Sequence, residues 1–426
     1  TPTGRQKSVV QIIDFSTAFI GDGVKFNVVD DITAAIRTNY CERLMIKNID
    51  SNFNLFTGAY AYIQNSIMCR ETANSYKLDA SVKMNYGSVN PDARPYYYYN
   101  ALKFVGSQNC ISSKMYADGA SQTFDVTYVD APSLNCIISD AVVYNARVNA
   151  GTTHAGSFGT QIKNSTFIDC ERGLSLRSRA DLVSNCDIIN SQGSKISQTT
   201  QNSTYGICVA EGFNYNTSIR NSTIQGYYRG AYVSDTKGGF VKNNIKFSNV
   251  NIKQCHRTIT VAINSTTYGN ENPAYKTEGD RGLVFEKITC SHPDGVFDYP
   301  VFYADSEYSN GVKLIDFDVQ DPVESPSDYY IKFQENNKNI TVEGWKIPSI
   351  GKLVSIGAIT DTETLGDNTL SNMCVSIPNG SNKRVATGGS LGISISDFNV
   401  GYYGIADHSE SSGTIYVDDI EDYGDL

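Results

Sequence analysis

The sequence predicts an all-β fold: a right-handed parallel β-helix, or solenoid, with a short N-terminal cap and a small C-terminal β module. Two patterns predict it. Strand segments that begin with asparagine recur through the middle of the chain, and a short segment of alternating polar and apolar residues follows most of them. Alternation over such short lengths, bounded by Gly, Asn and Ser, is typical of strands. Charged residues make up only 19% of the chain beside 28 Tyr and 18 Phe, which excludes a disordered acidic chain.

The first pattern is an asparagine, two mostly small or polar residues, and then Ile or Phe. From Asn109 to Asn249 it covers 140 residues in five steps, a mean of 28, with single steps of 21 to 36. Asn tolerates the left-handed turn conformation, and its amide can bond to the equivalent amide of the next repeat. The clear copies are Asn135–Ile138, Asn164–Phe167, Asn185–Ile188, Asn221–Ile224 and Asn249–Ile252.

The second pattern is a short strand that follows most of the asparagine segments. In three copies an Arg lies eight residues after the Asn and opens this strand, and Tyr205 takes that place in another copy. A strand–turn–strand unit of this size cannot bury its apolar face alone, so neighbouring units must stack. Equivalent residues then lie about 4.8 Å apart, the strand spacing of a sheet. The second strands are Gly173–Leu176, Gly206–Val209, Gly230–Val233 and Thr258–Val261.

The two ends of the chain differ from the repeats. We expect an N-terminal cap over residues 1–44, the β-helix over 45–345, and a C-terminal β-rich module over 346–426, because the repeat fades beyond Trp345. Asp30–Arg37 is the clear helix candidate, since its acidic start suits the helix dipole. A start at Thr1, without a leader pattern, is expected of a processed or excised fragment.

Cysteine usage and charge limit the environment and partners. The ten cysteines form no CxxC pairs and sit in apolar strands, which predicts buried thiols and folding in a reducing cytosol; disulfides or zinc are the alternatives. The net charge of −10 and the lack of a Lys/Arg cluster argue against nucleic acid. No apolar run approaches the ~18 residues of a membrane span. The four histidines have no metal-binding spacing, so we expect no metal and no cofactor.

A family resemblance is carried by three features of the sequence. Gly21–Val24 and Asp30–Ile36 look like the two halves of a segment that precedes the β-helix in that family, and Asn-, Ser- and Tyr-rich coils with unpaired cysteines follow over roughly 45–345. In these features the chain resembles phage tailspike depolymerases of the pectate-lyase-like β-helix superfamily. The resemblance implies a homotrimer on the virion tail, a virion-attachment domain upstream, and hydrolysis of glycosidic bonds in a bacterial capsule or O-antigen.

Hydrolysis of a glycosidic bond needs two carboxyl groups about 5 to 9.5 Å apart. Glu211 and Asp235 each lie five residues after the glycine of a second strand, so neighbouring coils should stack them. Asp140 and Asp169, each five residues after a repeat Asn, are an alternative pair. The insertion Asn264–Gly282 follows the next equivalent position and could wall a groove, which favours the first pair as catalytic. Solvated turn residues are the structural alternative for all four.

Arginines and tyrosines beside this pair are candidates for substrate binding. Guanidinium groups could hold sugar hydroxyls or uronate carboxylates, and tyrosine rings could pack against sugars. The same arginines could instead be solvated residues at a sheet edge. The predicted substrate-binding residues are Arg172, Arg229, Arg257, Tyr205 and Tyr232.

Two other functions remain open on the same fold. A polysaccharide lyase would need a base beside a uronate carboxylate that an arginine neutralises, and His256 with Arg257 and Arg229 is a candidate set. A non-catalytic spike or adhesin would bind glycan without cutting it. Sugar, linkage and stereochemical course are not encoded in these patterns.

Overall fold

The structure is a computed structural model of the chain. It describes residues 8–28, 34–54, 59–79, 100–127, 131–154, 156–191, 204–210, 214–235, 243–263, 280–304, 309–325, 328–333 and 340–348, and the backbone of strands between 352 and 418. For Asp235 and a few other strand ends, and for every strand beyond residue 348, the backbone alone is described. Two compact units divide the chain, Thr1–Ser191 and Gln192–Leu426, here called unit 1 and unit 2.

In its described part, unit 1 contains 21 strands and no helix. The strands are β1 (Ser8–Ile13), β2 (Ala18–Gly21), β3 (Lys25–Val28), β4 (Ala34–Asn39), β5 (Leu44–Lys47), β6 (Asp50–Phe53), β7 (Ala59–Gln64), β8 (Arg70–Thr72), β9 (Ser75–Leu78), β10 (Asn100–Val105), β11 (Ile111–Ser113), β12 (Tyr116–Asp118), β13 (Gln122–Thr127), β14 (Ile137–Ser139), β15 (Val142–Tyr144), β16 (Asn149–Thr153), β17 (Gln161–Lys163), β18 (Thr166–Ile168), β19 (Leu174–Leu176), β20 (Leu182–Ser184) and β21 (Asp187–Ile189).

These strands form coils of three, and each strand pairs in parallel with the strand three places further along the chain. One ladder runs β1-β4-β7-β10-β13-β16-β19. A second runs β2-β5-β8-β11-β14-β17-β20, and a third runs β3-β6-β9-β12-β15-β18-β21. Unit 1 is therefore a right-handed parallel β-helix, as the repeat predicts.

In unit 2 the strands of each coil are longer and fewer. They are β22 (Tyr205–Val209), β23 (Ser218–Gln225), β24 (Arg229–Asp235), β25 (Asn243–Lys253), β26 (Arg257–Ile263), β27 (Asp280–Cys290), β28 (Phe302–Ala304), β29 (Ser309–Asn310), β30 (Lys313–Val319), β31 (Tyr329–Phe333), β32 (Thr341–Glu343), β33 (Lys346–Ile347), β34 (Lys352–Ile356), β35 (Asn368–Val375), β36 (Lys383–Val385), β37 (Ile393–Asn399), β38 (Tyr403–Ile405) and β39 (Ile415–Asp418).

Two parallel ladders organise unit 2. The front ladder is β22-β24-β26-β28-β31-β34, and the back ladder runs from β23 through β25, β27 and β30 to β32 and β33. The back ladder continues through β35, β37 and β39, while β36 pairs with β38. Unit 2 is also a parallel β-helix. The predicted domain boundaries near residues 44 and 345 stay predictions.

Apolar side chains from successive coils stack in the core of unit 2. The rings of Phe247 and Phe285 lie 5.1 Å apart in a stacked arrangement, and those of Phe317 and Trp345 lie 4.1 Å apart. Trp345 is fully buried and its Nε1 donates a 3.1 Å hydrogen bond to the Leu314 carbonyl. Such stacks follow from parallel register, because each inward position faces its counterpart one coil away. Among the described residues, no helix has the length and apolar character needed to span a membrane.

Asparagines turn the coils in the left-handed conformation as predicted, but they do so at two corners. Asn135 aligns with Gly159, whereas Asn164 aligns with Asp140, so the predicted step from Asn135 to Asn164 does not correspond to one coil. Asn135, Asn221 and Asn249 have φ between 50° and 54°, in the left-handed region. The amide of Asn249 donates to Oδ1 of Asn221 at 3.0 Å, and that of Asn135 donates to Asn109 at 3.5 Å. The amide ladder satisfies polar groups at a turn where the backbone leaves the sheet.

The predicted helix over Asp30–Arg37 is wrong. Ala34–Arg37 belong to strand β4, which pairs with β1 on one side and β7 on the other, and residues 30–33 lie outside the described residues. Ala34, Ala35 and Ile36 are completely buried. Burial between two coils and two rows of backbone hydrogen bonds outweigh the helix propensity of alanine, which favours a helix by less than about 1 kcal/mol per residue.

The predicted stacking of the alternative carboxylate pair, Asp140 and Asp169, is also wrong. Asp140 follows β14 and aligns with Asn164, whereas Asp169 follows β18 and aligns with Asn145. The two aspartates therefore turn different corners of the coil, each with a left-handed φ near 54°. Each aspartate lies five residues after an Asn, but this equal spacing does not make them equivalent. Asn residues occur at more than one corner of a coil, so the two counts start from different corners.

The nine described cysteines are all free and buried, which confirms the expectation of core thiols. Most follow a turn residue and donate to the carbonyl two residues earlier, as Cys110 does to Gln108 at 3.5 Å and Cys255 to Lys253 at 3.4 Å. Burial raises the pKa of the Cys255 thiol to about 12, so this group is a thiol rather than a thiolate. Cys374 lies where only the backbone is described.

A buried carboxyl group lies inside unit 1. Glu71 on β8 points into the core, accepts a 2.7 Å hydrogen bond from the Asn74 amide, and bonds to the Ser112 hydroxyl. Burial raises its pKa to about 7, although both hydrogen bonds oppose the shift. The folded protein therefore binds a proton at Glu71 more tightly than the unfolded chain does.

We expect Glu71 to make unit 1 less stable as pH rises from about 4.5 to about 7. Below that range both states are protonated, and above it the folded state holds a buried carboxylate at a cost of roughly 3 kcal/mol. Glu71→Gln removes this cost, so it should stabilise the protein at about pH 8 and have little effect near pH 4. Denaturant unfolding at both pH values measures the difference, with the exposed Glu42→Gln as the control. An equal effect of Glu71→Gln at both pH values would contradict the expectation.

Candidate functional site

The structure describes the side chain of neither predicted catalytic carboxylate. Glu211 lies outside the described residues, and Asp235 is described by its backbone at the end of β24. The register between β22 and β24 has a constant offset of 24 residues, from Tyr205↔Arg229 to Val209↔Val233. The same offset leads from Glu211 to Asp235, so the alignment that suggested the pair agrees with the observed strands. Their role as a pair stays a prediction.

Two of the three arginines in the predicted column, Arg229 and Arg257, lie in register in the front ladder of unit 2. Tyr205 pairs with Arg229, and Arg229 pairs with Arg257. Three residues along, Tyr232 pairs with Thr260, which pairs with Tyr303. The sequence alignment of these coils is therefore correct, and Asp235 pairs with Ile263 as expected.

Each arginine of this column lies over tyrosine rings. The guanidinium carbon of Arg229 is 4.5 Å from the Tyr232 ring centroid and 5.8 Å from that of Tyr228. That of Arg257 is 3.9 Å from the Tyr299 centroid and 5.1 Å from that of Tyr228. We call these five residues the arginine–tyrosine surface. Cation–π contacts at such distances hold both the planar cation and the rings in place.

All five side chains of the arginine–tyrosine surface are half-buried, so each also reaches solvent. Tyr205 differs: it is only 7% exposed and forms a small apolar cluster with Cys208 and Ala210, against which Tyr232 packs. The cluster that contains Tyr205 thus supports the Tyr232 ring. A contact between Tyr205 and a ligand stays a prediction.

Two glycines let the front ladder approach the core beside the arginines. A Cβ at Gly206 would lie 2.1 Å from the Ile224 side chain, and one at Gly230 would lie 2.2 Å from Ile252. Only glycine fits at such a close approach. Strand β24 therefore packs closely against the apolar side chains of the back ladder. Arg229 is the first residue of this strand and lies where the coil turns into it.

Arg172, the remaining predicted binding residue, belongs to unit 1. It precedes β19 and is half-buried, and its carbonyl accepts a 2.9 Å hydrogen bond from the Ala150 amide. Its role in binding stays a prediction.

A second cluster of polar side chains in unit 2 surrounds His292. The ring centroids of His256 and His292 lie 5.1 Å apart in an edge-on arrangement, and His256 also lies 5.8 Å from the Tyr228 ring. The His292 side chain is only 2% exposed, and carboxylates face both of its nitrogens. Burial, with a smaller contribution from His256, lowers the pKa of His292. The neutral imidazole is therefore the favoured form near pH 7.

Unit 1 holds an ionic cluster that the sequence patterns missed. The Asp125 carboxylate on β13 is 2.9 Å from the Lys103 ammonium and 3.0 Å from Nε2 of His154, and it accepts a 2.9 Å hydrogen bond from the Asn100 amide. Burial opposes ionisation, but Lys103 and His154 outweigh it and hold the pKa of Asp125 well below its usual range. Asp125 is thus a fixed anion rather than a proton donor.

This ionic cluster could have been found only from a correct alignment of coils. Arg37, Tyr62, Lys103 and Asp125 are paired residues of successive strands in the first ladder. They are separated by unequal loops, so no fixed spacing in the sequence connects them. Tyr299 of the arginine–tyrosine surface was missed for a similar reason, since it precedes β28 in a segment without the repeat.

Comparison with known sequences identifies no family. No protein-family model matches the chain. No curated protein sequence matches it either.

Solved structures with a similar fold include phage and polysaccharide-acting proteins. The tailspike protein gp49 of Pseudomonas phage LKA1 is 8% identical, with a TM-score of 0.40 over 79% of this chain and 51% of that one. The mannuronan C-5 epimerase AlgE4 A-module of Azotobacter vinelandii is 10% identical, with a TM-score of 0.43 over 89% and 90%. The endo-xylogalacturonan hydrolase of Aspergillus tubingensis is 10% identical, with a TM-score of 0.41 over 91% and 92%.

The chain spans about half the length of the two Pseudomonas phage tailspikes it matches, 51% and 49%. At these identities the likeness concerns the fold and transfers no residue role. We therefore derive the functional proposal from residues of this chain.

Proposed function

We propose that the protein acts on a polysaccharide, which it binds along the arginine–tyrosine surface of unit 2. The observation that carries this proposal is the stacking of Arg229 and Arg257 in register, each over tyrosine rings at 4.5 Å and 3.9 Å. Flat aromatic faces suit the apolar faces of sugar rings, and guanidinium groups suit carboxylates and hydroxyls. A repeating ligand fits a site built from repeating coils.

The two arginines favour an acidic sugar. The whole chain carries a net charge of −10, yet this surface presents two cations from neighbouring coils. Guanidinium groups bind carboxylates in a bidentate manner, which gives both affinity and orientation. A uronate, or another sugar with a carboxylate, is therefore the preferred substrate class.

For the chemistry, we propose hydrolysis of the glycosidic bond by Glu211 and Asp235. One carboxyl group would protonate the leaving oxygen, and the other would activate water or attack the anomeric carbon. Residues one coil apart are separated by about 4.8 Å along the ladder, near the lower limit of the distances such pairs use. The 24-residue offset of β22 and β24 supports this placement.

The proposal extends to the biological setting. The sequence resemblance supports a phage tailspike depolymerase: a homotrimer on the virion tail that cuts bacterial capsule or O-antigen from the outside. No nucleic acid, membrane insertion or cofactor is needed for this role.

Lyase chemistry is a second candidate because His256 directly precedes Arg257 and contacts the Tyr228 ring at 5.8 Å. In that reaction His256 would remove the proton beside a uronate carboxylate that Arg257 neutralises. Purified protein incubated with bacterial surface polysaccharides distinguishes the candidates. New reducing ends without ultraviolet absorbance indicate hydrolysis, new reducing ends with the absorbance of an unsaturated sugar indicate elimination, and binding without cleavage indicates an adhesin.

Replacing Arg257 should weaken glycan binding. We expect Arg257→Ala to lower the affinity for the polysaccharide roughly tenfold to a hundredfold, because a charge-assisted hydrogen bond contributes about 1.5–3 kcal/mol. Surface plasmon resonance with immobilised polysaccharide measures the affinity. Lys253→Ala, on the back ladder, is the control for a general loss of positive charge. Equal affinities of the two variants would contradict a role for this surface.

A further inference from the structure

We infer that unit 2 contains a binding site for a divalent transition-metal ion of the zinc type, formed by His256, His292 and Asp294. One ligand atom from each residue lies within 4.8 Å of the other two. Among the residues the structure describes, this set combines two imidazoles with a carboxylate, a donor set that zinc uses with an open fourth position. This inference does not depend on the glycan function.

The hydrogen bonds of His292 identify the nitrogen that faces the ion. Its Nδ1 accepts a 3.2 Å hydrogen bond from the Asp294 backbone amide and lies 3.9 Å from the Asp294 carboxylate. An accepting Nδ1 carries the lone pair, so the hydrogen of the neutral ring sits on Nε2. The lone pair thus points to the side where the carboxylate lies, and an ion there would replace the weak amide contact.

The other nitrogen of His292 supports the same assignment. Nε2 is buried and makes no hydrogen bond within the described part of the chain, and the nearest carboxylate, Asp298, is 3.6 Å away. Metal-binding histidines usually donate the remaining N–H to a carboxylate, which fixes the ring and strengthens the ligand. A small approach of Asp298 would complete that bond and satisfy an otherwise costly buried group.

The backbone around His292 is also held by a carboxylate. The His292 amide donates a 2.7 Å hydrogen bond to Asp321, which fixes the start of the turn that carries Asp294. The Asp294 side chain is 71% exposed and can rotate. In a tetrahedral zinc site the ligand atoms lie about 3.4 Å apart, so a modest rotation of Asp294 and His256 closes the set.

The donor types select the metal. Calcium and magnesium prefer six or more oxygen ligands, whereas imidazole nitrogens favour zinc and its neighbours in the first transition row. With three acidic residues nearby, Asp294, Asp298 and Asp321, the positive ion also neutralises local negative charge. We therefore expect Zn²⁺ and Co²⁺ to bind and Ca²⁺ and Mg²⁺ to have no effect.

The test uses chelator-treated protein without a histidine tag. Isothermal titration with Zn²⁺ should show one ion per chain, and Co²⁺ should give the visible absorption of a tetrahedral site with nitrogen ligands. Thermal melting should shift upward with Zn²⁺ concentration, because the ion binds the folded state. Equal concentrations of Ca²⁺ or Mg²⁺ should not shift it.

Variants at exposed and half-buried ligands test the assignment without removing the buried His292. Asp294→Asn and His256→Gln should each weaken Zn²⁺ binding by about a hundredfold or more, and Asp298→Asn by about tenfold. Asp187→Asn, an exposed aspartate of unit 1, is the matched control and should bind as the unmodified protein does. Absence of Zn²⁺ binding, or unchanged binding in both Asp294→Asn and His256→Gln, would overturn the inference.

Discussion

Converting Glu211 to glutamine, or Asp235 to asparagine, should reduce polysaccharide cleavage by about 10²–10⁴-fold. Each amide keeps the size of the side chain but can neither donate the acid proton nor act as a base or nucleophile, and a single positioned acid or base contributes about that factor. Affinity for the polysaccharide should change little, because the arginine–tyrosine surface is intact. Reducing-end assays measure the rate, and binding is measured separately on the same preparations.

Glu286→Gln is a suitable control for this pair. Glu286 lies on β27 of the back ladder, so its change tests whether any loss of a carboxylate in unit 2 lowers activity. Full activity in both Glu211→Gln and Asp235→Asn would remove these residues from the mechanism, while the binding role of Arg229 and Arg257 would still stand. A loss of cleavage with preserved binding in one variant alone would identify a single catalytic carboxylate.

Removing the Asp125 carboxylate should have the largest effect on stability. Asp125→Ala leaves the Lys103 ammonium, 17% exposed, and the partly buried His154 without their anion, and it removes the acceptor of the Asn100 amide. Breaking a buried ion pair by removing one partner costs about 3–5 kcal/mol. Denaturant unfolding of the purified protein measures the change in the free energy of unfolding.

Two further variants show whether an uncompensated charge is the cause. Glu286→Ala breaks the Lys246–Glu286 pair at 2.7 Å, whose side chains are 42% and 25% exposed, and should cost about 1 kcal/mol or less. The double variant Lys103→Met with Asp125→Leu removes both charges and should recover most of the stability lost in Asp125→Ala. A loss in Asp125→Ala no larger than that in Glu286→Ala would show that the cluster is not a stabilising one.

The ionic cluster also has a pH dependence of known sign. The pKa of Asp125 is lower in the folded state than in the unfolded chain, so its contribution is present above the ordinary aspartate pKa and is lost as pH falls. Glu71 acts in the opposite sense, since its pKa is raised by burial. Comparing each variant with the unmodified protein at the same pH separates the two.

Much of the fold could be predicted because the sequence repeats once per coil. Asn221 and Asn249 align in the structure as they do in the repeat, and Tyr205, Arg229 and Arg257 form the expected column. Parallel strands pair with their counterparts one coil away, so a regular repeat in the sequence corresponds directly to a ladder. The buried thiols followed from the same pattern, since each cysteine occupies an apolar position beside a turn.

Where the loops differ in length, the same reasoning failed. Asp140 and Asp169 have equal distances from an asparagine, yet backbone pairing places them at different corners of the coil. Ala34–Arg37 carry helix-favouring residues, yet two neighbouring strands hold them in a sheet. In both cases interstrand hydrogen bonds and burial decide, and these are absent from any local window of sequence.

By itself, the sequence determined the coiled architecture, the asparagine turns, the buried thiols and the register of Arg229 with Arg257. In a solenoid, residues at equivalent positions of the sequence repeat contact each other in neighbouring coils, so the repeat predicts these features. Only the tertiary structure decided which non-repeating residues meet: Tyr299 over Arg257, Asp125 between Lys103 and His154, and His256 beside His292. The physical reason is that contact between coils depends on register across loops of unequal length, and register is set by backbone pairing and core packing together.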